Sequence, residues 1–138
     1  MRSTYIFLVL LFPALALLNA WWFGRELRAF VDSTPVISST ADIERMKTAV
    51  GRQMYAALVQ IVLLAAGPAT FFVGMLRGAL GPADVMFIIL PSAAVILLAS
   101  VFKRVETKAK GISVPDEELR RQRDSIVHTW LKKPLPDW

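Results

Sequence analysis

Three long stretches of this chain contain no Asp, Glu, Lys, Arg or His: Tyr5 to Phe23, Gln53 to Leu76 and Val85 to Phe102. At about 1.5 Å rise per residue they extend roughly 28, 36 and 27 Å as helices, against a hydrocarbon core of about 30 Å. Lipid offers the backbone no hydrogen-bond partner, so a segment that spans it must satisfy its own amides as a helix. Charged residues make up 20% of the 138-residue chain, and all of them fall outside these stretches. The expected architecture is an all-α integral membrane protein. It has three transmembrane helices, cytoplasmic helical extensions and an amphipathic C-terminal tail helix.

The basic residues set the orientation. Three spans place the segment before Tyr5 and the loop 77–84 on one side, where only Arg2 and Arg77 are basic; the other fourteen of the 16 Lys and Arg residues share the opposite side. By the positive-inside rule the N-terminus and that loop are external and the tail is cytoplasmic, in a cell inner membrane crossed several times. The net charge of +5 then records topology, and no nucleic-acid partner is expected. Trp21, Trp22, Arg25 and Arg28 follow the first apolar run as interface anchors, rings at headgroup level and guanidinium groups reaching lipid phosphates. This aromatic belt, Pro13 inside the run and the lack of a clean A-x-A site favour a retained first span, residues 1–23, over a cleaved signal peptide.

The connection 24–52 is too long to be a turn. It continues the first helix to about Val31, breaks at Asp32-Ser-Thr-Pro35, and restarts at an N-cap, Ser39 or Thr40, with Asp42 and Glu44 in the first turn. Ile43, Met46, Val50, Met54 and Ala57 recur at three and four residues with no breaker before the second span, which predicts one long amphipathic helix running into it. Residues 53–102 form a transmembrane hairpin closed by the short Gly/Pro-rich external loop 77–84. The basic tail, 103–138, carries the third helix on to Lys110 with Gly111 as its C-cap. A further amphipathic helix over 115–132 follows, with Pro115 at its first position, and then a Pro-rich end.

Reactive groups are sparse. The absence of cysteine excludes disulfides, thiolate metal sites and thiol nucleophiles. One histidine, His128, excludes bis-histidine haem and multi-histidine metal sites from this chain alone. Asp116, Glu117 and Glu118 fit helix-dipole capping better than a cation site. No enzyme activity, cofactor or metal is expected. No ionisable residue lies within the spans, which argues against an ion or proton path. Pro13, Pro68 and Pro91 kink the three spans, one each, and leave backbone defects that protein neighbours must cover. The amide of Gln60 likewise needs a partner from another helix. Gly74 and Gly78 form a GxxxG that runs out of the membrane across Arg77, a weak dimerisation signal.

These features together predict a non-catalytic accessory subunit of a larger multi-subunit inner-membrane complex. Its partners are the lipid bilayer, other integral membrane subunits, and a cytoplasmic protein that docks the tail. Gln60 serves the spans. In the tail, Ile126, Val127, Trp130 and Leu131 form an apolar face, and Pro134, Pro136 and Trp138 form an extended end that enters a partner groove. The alternative is a small homo-oligomeric pore former or transporter. The plan of three spans, external N-terminus and charged internal tail is similar in topology to three-span phage holins, a resemblance of layout that rests on no sequence motif.

Overall fold

Uninterrupted runs of apolar helix formers give three long helices and one shorter, charged one. The computed structural model describes all residues 1–138. α1 covers Arg2–Ser33, α2 Thr40–Leu76, α3 Met86–Lys110 and α4 Glu117–Lys132, with a 3-10 turn at Pro82–Val85 leading into α3. There are no strands; one parallel bridge joins Val36 to Ser113. Three helical segments, Arg2–Ser33, Thr40–Leu76 and Pro82–Lys110, are long and apolar enough to cross a membrane, and only 17%, 11% and 6% of their most apolar stretches is buried within the chain. Most of that surface must therefore be covered from outside it.

Contacts divide the chain into two compact units: Met1–Trp21 with Val59–Ser100, and Trp22–Leu58 with Val101–Trp138. These cut across the consecutive segments read from composition, because each long helix contributes to both.

In the first unit Pro13 is fully buried. Its ring removes the helical donor for the Val9 carbonyl, and both groups face Gly67 of α2, where an added methyl would lie 3.8 Å from each. The backbone defect at Pro13 is thus covered by a glycine of the same chain. The end of α2 is set by Gly78, the only residue with positive φ, at 66°. Gly78 N–H donates to the Met75 carbonyl at 2.9 Å and Ala79 N–H to the Gly74 carbonyl at 2.9 Å, the two bonds of a Schellman cap. The chain then folds back so that Leu80 and Tyr5 cover Gly74. The Gly74–Gly78 pair therefore caps α2 and closes its own unit. In the turn that follows, Asp84 is buried. Its carboxylate accepts from the Gly81 amide at 2.9 Å and from Arg2 at 2.8 Å.

The second unit has the larger core. Leu27 and Phe30 from α1, Ile43, Met46, Val50 and Met54 from α2, Ala109 from α3 and Ile126 from α4 pack with Ile37, Ile112 and Val114 of the connections. Ser39 caps α2, its hydroxyl accepting from the Asp42 amide at 3.3 Å. α4 begins two residues later than Pro115 suggests: Asp116 is the N-cap and accepts from the Leu119 amide at 3.0 Å. A capping carboxylate at Asp116 satisfies an amide of the first turn, which the apolar Val114 side chain could not do as the cap of a helix starting at Pro115, so Pro115 stays outside the helix. Gly111 closes α3 through bonds from its amide to the Thr107 and Lys108 carbonyls, both 3.2 Å, without positive φ.

Candidate functional site

Polar groups inside the apolar runs are the first place to look, because a polar group set among apolar surface is costly unless it is hydrogen-bonded. Thr70 and Ser100 donate to the carbonyls four residues back, Ala66 and Ile96, at 2.8 and 2.9 Å. Gln53 donates to the Phe23 carbonyl. Gln60 accepts from Asn19 at 2.8 Å through Oε1, so two side-chain amides of the apolar runs meet across α1 and α2. The Gln60 Nε2 is buried and has no acceptor in the chain. Of the three kinking prolines, Pro13 is buried, Pro91 half-buried and Pro68 exposed. Pro68 withdraws the donor for the Leu64 carbonyl. Gln60, Leu64 and Pro68 follow at four-residue spacing, which places them along one face of α2.

Two of the expected interface anchors, Trp22 and Arg25, border a cleft in the second unit. Trp21 and Trp22 are 44% and 53% exposed, and Arg28 lies 3.8 Å from Asp32 one turn on. A lobe of about 280 Å³ is lined by Trp22, Arg25, Glu26 and Ala29. It shares Glu26 and Ala29 with a lobe of about 450 Å³ that extends to Phe30, Glu44, Arg45, Thr48, Ala49 and Arg52. Arg52 donates to Glu26 Oε1 at 3.1 Å. Glu26 Oε2 is buried and accepts nothing.

The tail finds most of its contacts at home. Ile126 is 2% exposed, and Val127 and Trp130 pack against the same core. The Lys110 ammonium stands 4.6 Å from the Trp130 ring centre, a cation–π contact. Pro136 lies against Gly51 of α2, 3.9 Å from where a methyl would stand. The face expected to enter a partner's groove is therefore largely occupied within its own unit, because α2 and α3 offer apolar surface close in space that composition does not reveal. Leu131, Leu135 and Trp138 remain 60%, 43% and 43% exposed, and Pro134 is exposed beside them. Arg120 and Arg123, which look in the sequence like a solvated polar face, donate instead to the Val114 carbonyl at 3.1 Å and the Ile112 carbonyl at 2.7 Å. His128 is exposed, and no three His, Asp or Glu side chains come together in a metal-binding arrangement.

Asp137 fastens the chain end. It accepts from Lys133 and, at 3.0 Å, from the Thr129 hydroxyl. The Lys133 hydrogen bond first, then Thr129 and the Lys133 charge, hold its carboxyl below the ordinary value of 3.8. A carboxyl whose pKa is lowered by folding stabilises the fold above its unfolded pKa and loses that contribution as pH falls through the folded one. The Trp138 environment should therefore loosen only below pH 4, read as the fluorescence difference between wild type and Trp138→Phe. Asp137→Asn should abolish that acid step.

Neither protein-family models, nor curated proteins, nor solved structures give a match to this chain.

Proposed function

We propose that the chain is a multi-pass inner-membrane protein, N-terminus external and C-terminus cytoplasmic, that serves as a non-catalytic accessory subunit of a larger complex. The observation that carries this reading is the α2 stripe. Gln60 Nε2 lacks an acceptor, and Pro68, which opens a backbone defect at Leu64, is exposed. In lipid the exposed defect at Pro68 favours a neighbouring protein helix over acyl chains. The expected occupant is a span of another integral membrane subunit, packed over Pro68 beside the Asn19–Gln60 pair. The exposed Leu131, Leu135 and Trp138 then form a smaller, secondary contact for a cytoplasmic partner than the tail's composition suggests.

Purification in mild detergent from the native membrane tests this. Foreign subunits in fixed stoichiometry are expected, and Gln60→Leu should weaken their retention by roughly 0.6 to 2 kcal/mol, the scale of interhelical hydrogen bonds in membranes. A homo-oligomer free of other chains would favour the pore former or transporter, and abrupt membrane leakage on expression would single out the pore.

A further inference from the structure

The cleft around Glu26 holds an arrangement that the subunit role does not use. Glu26 lies three residues beyond the last residue of the first uncharged run, at the depth where the proposed topology places lipid headgroups. Among the basic residues near it, Arg25, Arg28 and Arg52, an acid is out of place if the surface serves only to attract anionic lipid. One carboxylate oxygen is satisfied by Arg52 at 3.1 Å; the other is buried with no donor. A buried carboxylate oxygen without a donor is costly, so an N–H group that reaches it is favoured. The Glu26 side chain is 33% exposed and Arg52 58% exposed. The terminal torsion of glutamate is soft, so a small rotation turns the unsatisfied oxygen into the cleft. Arg52, held on Glu26 by one nitrogen, keeps other N–H groups for a phosphate, and Trp22 walls the adjoining lobe.

We infer that this cleft is a binding site for a zwitterionic phospholipid headgroup bearing a primary ammonium, the phosphoethanolamine class. The ammonium donates to Glu26 Oε2 and the phosphodiester accepts from Arg52. The pairing follows the chemistry of both ends: acid and base stand side by side, as ammonium and phosphate do in the headgroup. A phosphocholine head has the same charges and no N–H, so it leaves the carboxylate oxygen unsatisfied. An anionic phosphoglycerol head meets Arg52 but faces Glu26 with no cation.

The inference rests on the membrane reading, and the experiment separates the two. The full chain is purified in detergent, and binding of phosphatidylethanolamine, its N-monomethyl and N,N-dimethyl derivatives, phosphatidylcholine and phosphatidylglycerol with identical acyl chains is followed by native mass spectrometry. Wild type is expected to prefer phosphatidylethanolamine over phosphatidylcholine by about tenfold, the scale of a hydrogen bond to a charged group. The preference should persist while any N–H remains and vanish at full methylation. Glu26→Ala should abolish the preference, so that phosphatidylethanolamine and phosphatidylcholine bind equally. Equal binding of the two lipids by wild type, tighter binding of phosphatidylglycerol, or a preference that survives Glu26→Ala would overturn the site. Recovery of the chain in the aqueous supernatant of detergent-free cell lysate would overturn the membrane reading itself. The methylation series needs no variant, so a misfolded Glu26→Ala leaves the inference open to refutation.

Discussion

Ile126→Ala is expected to destabilise the second unit by roughly 2 to 5 kcal/mol, the cost of truncating a large aliphatic side chain in a packed core. Ile126 is 2% exposed and joins α4 to residues of α1, α2 and α3. Its loss removes buried methyl groups and leaves a cavity that the long helices cannot easily close. Leu131, five residues on, is 60% exposed, and Leu131→Ala should fall within about 0.5 kcal/mol of wild type. Urea titration in detergent measures the difference, and trypsin supplies a local readout. Arg120, Arg121 and Arg123 lie on α4, so a released helix should be cut there far faster. Equal effects from the two substitutions would mean that α4 docks by another face.

The second large effect comes from the same chemical change at two glycines. A methyl on Gly24 would lie 2.5 Å from Phe102 Cγ and 2.6 Å from both ring carbons beside it. These atoms are at the root of the ring, where no small rotation relieves the overlap. Gly24→Ala should therefore cost about 1 to 3 kcal/mol through overpacking. At Gly67 the nearest atoms are 3.8 Å away, ordinary contact. Gly67→Ala should there be neutral, or stabilising by up to about 1 kcal/mol as helix propensity improves. Phe102→Leu should recover part of the loss in the Gly24→Ala background, and thermal unfolding of these three variants beside wild type completes the comparison. Similar losses at both glycines would contradict the packing described around Phe102.

Much of the fold is legible in the sequence because membrane-length runs carry a strong compositional signal. The break after α1 falls at Ser33, within the Asp32-Ser-Thr-Pro35 signal, and α2 starts behind Ser39, one of two predicted caps. Local chemistry decides such boundaries. It also explains the misplacements: α4 offers both Pro115 and Asp116 as starting residues, and only the geometry of the Asp116 carboxylate to Leu119 N–H selects the later one. At the ends of α2 and α3 both Gly78 and Gly111 are available, and positive φ is needed only at Gly78, where the chain must turn back onto Gly74.

The candidate sites were less accessible to sequence reasoning. Gln60 was identifiable as an amide in need of a partner, but its pairing with Asn19, 41 residues away, required the packing of α1 against α2. Arg120 and Arg123 look like solvated charges, yet both hold backbone carbonyls of the α3–α4 connection. Glu26 gave no signal at all: its meaning lies in Arg52, 26 residues on, and in one carboxylate oxygen that nothing fills. Such pairings depend on which long side chains turn inward, a choice made by tertiary packing rather than by local propensity.

The central claim, three membrane crossings with an external N-terminus and a cytoplasmic tail, is tested most directly by single-cysteine labelling in intact cells. The chain has no cysteine of its own, and Ala83 and Ser125 are both exposed. With an impermeant maleimide, Ala83→Cys should be labelled in intact cells and Ser125→Cys only after the membrane is permeabilised. Labelling of Ser125→Cys with protection of Ala83→Cys would invert the topology, and labelling of both from the same side would contradict a crossing by α3.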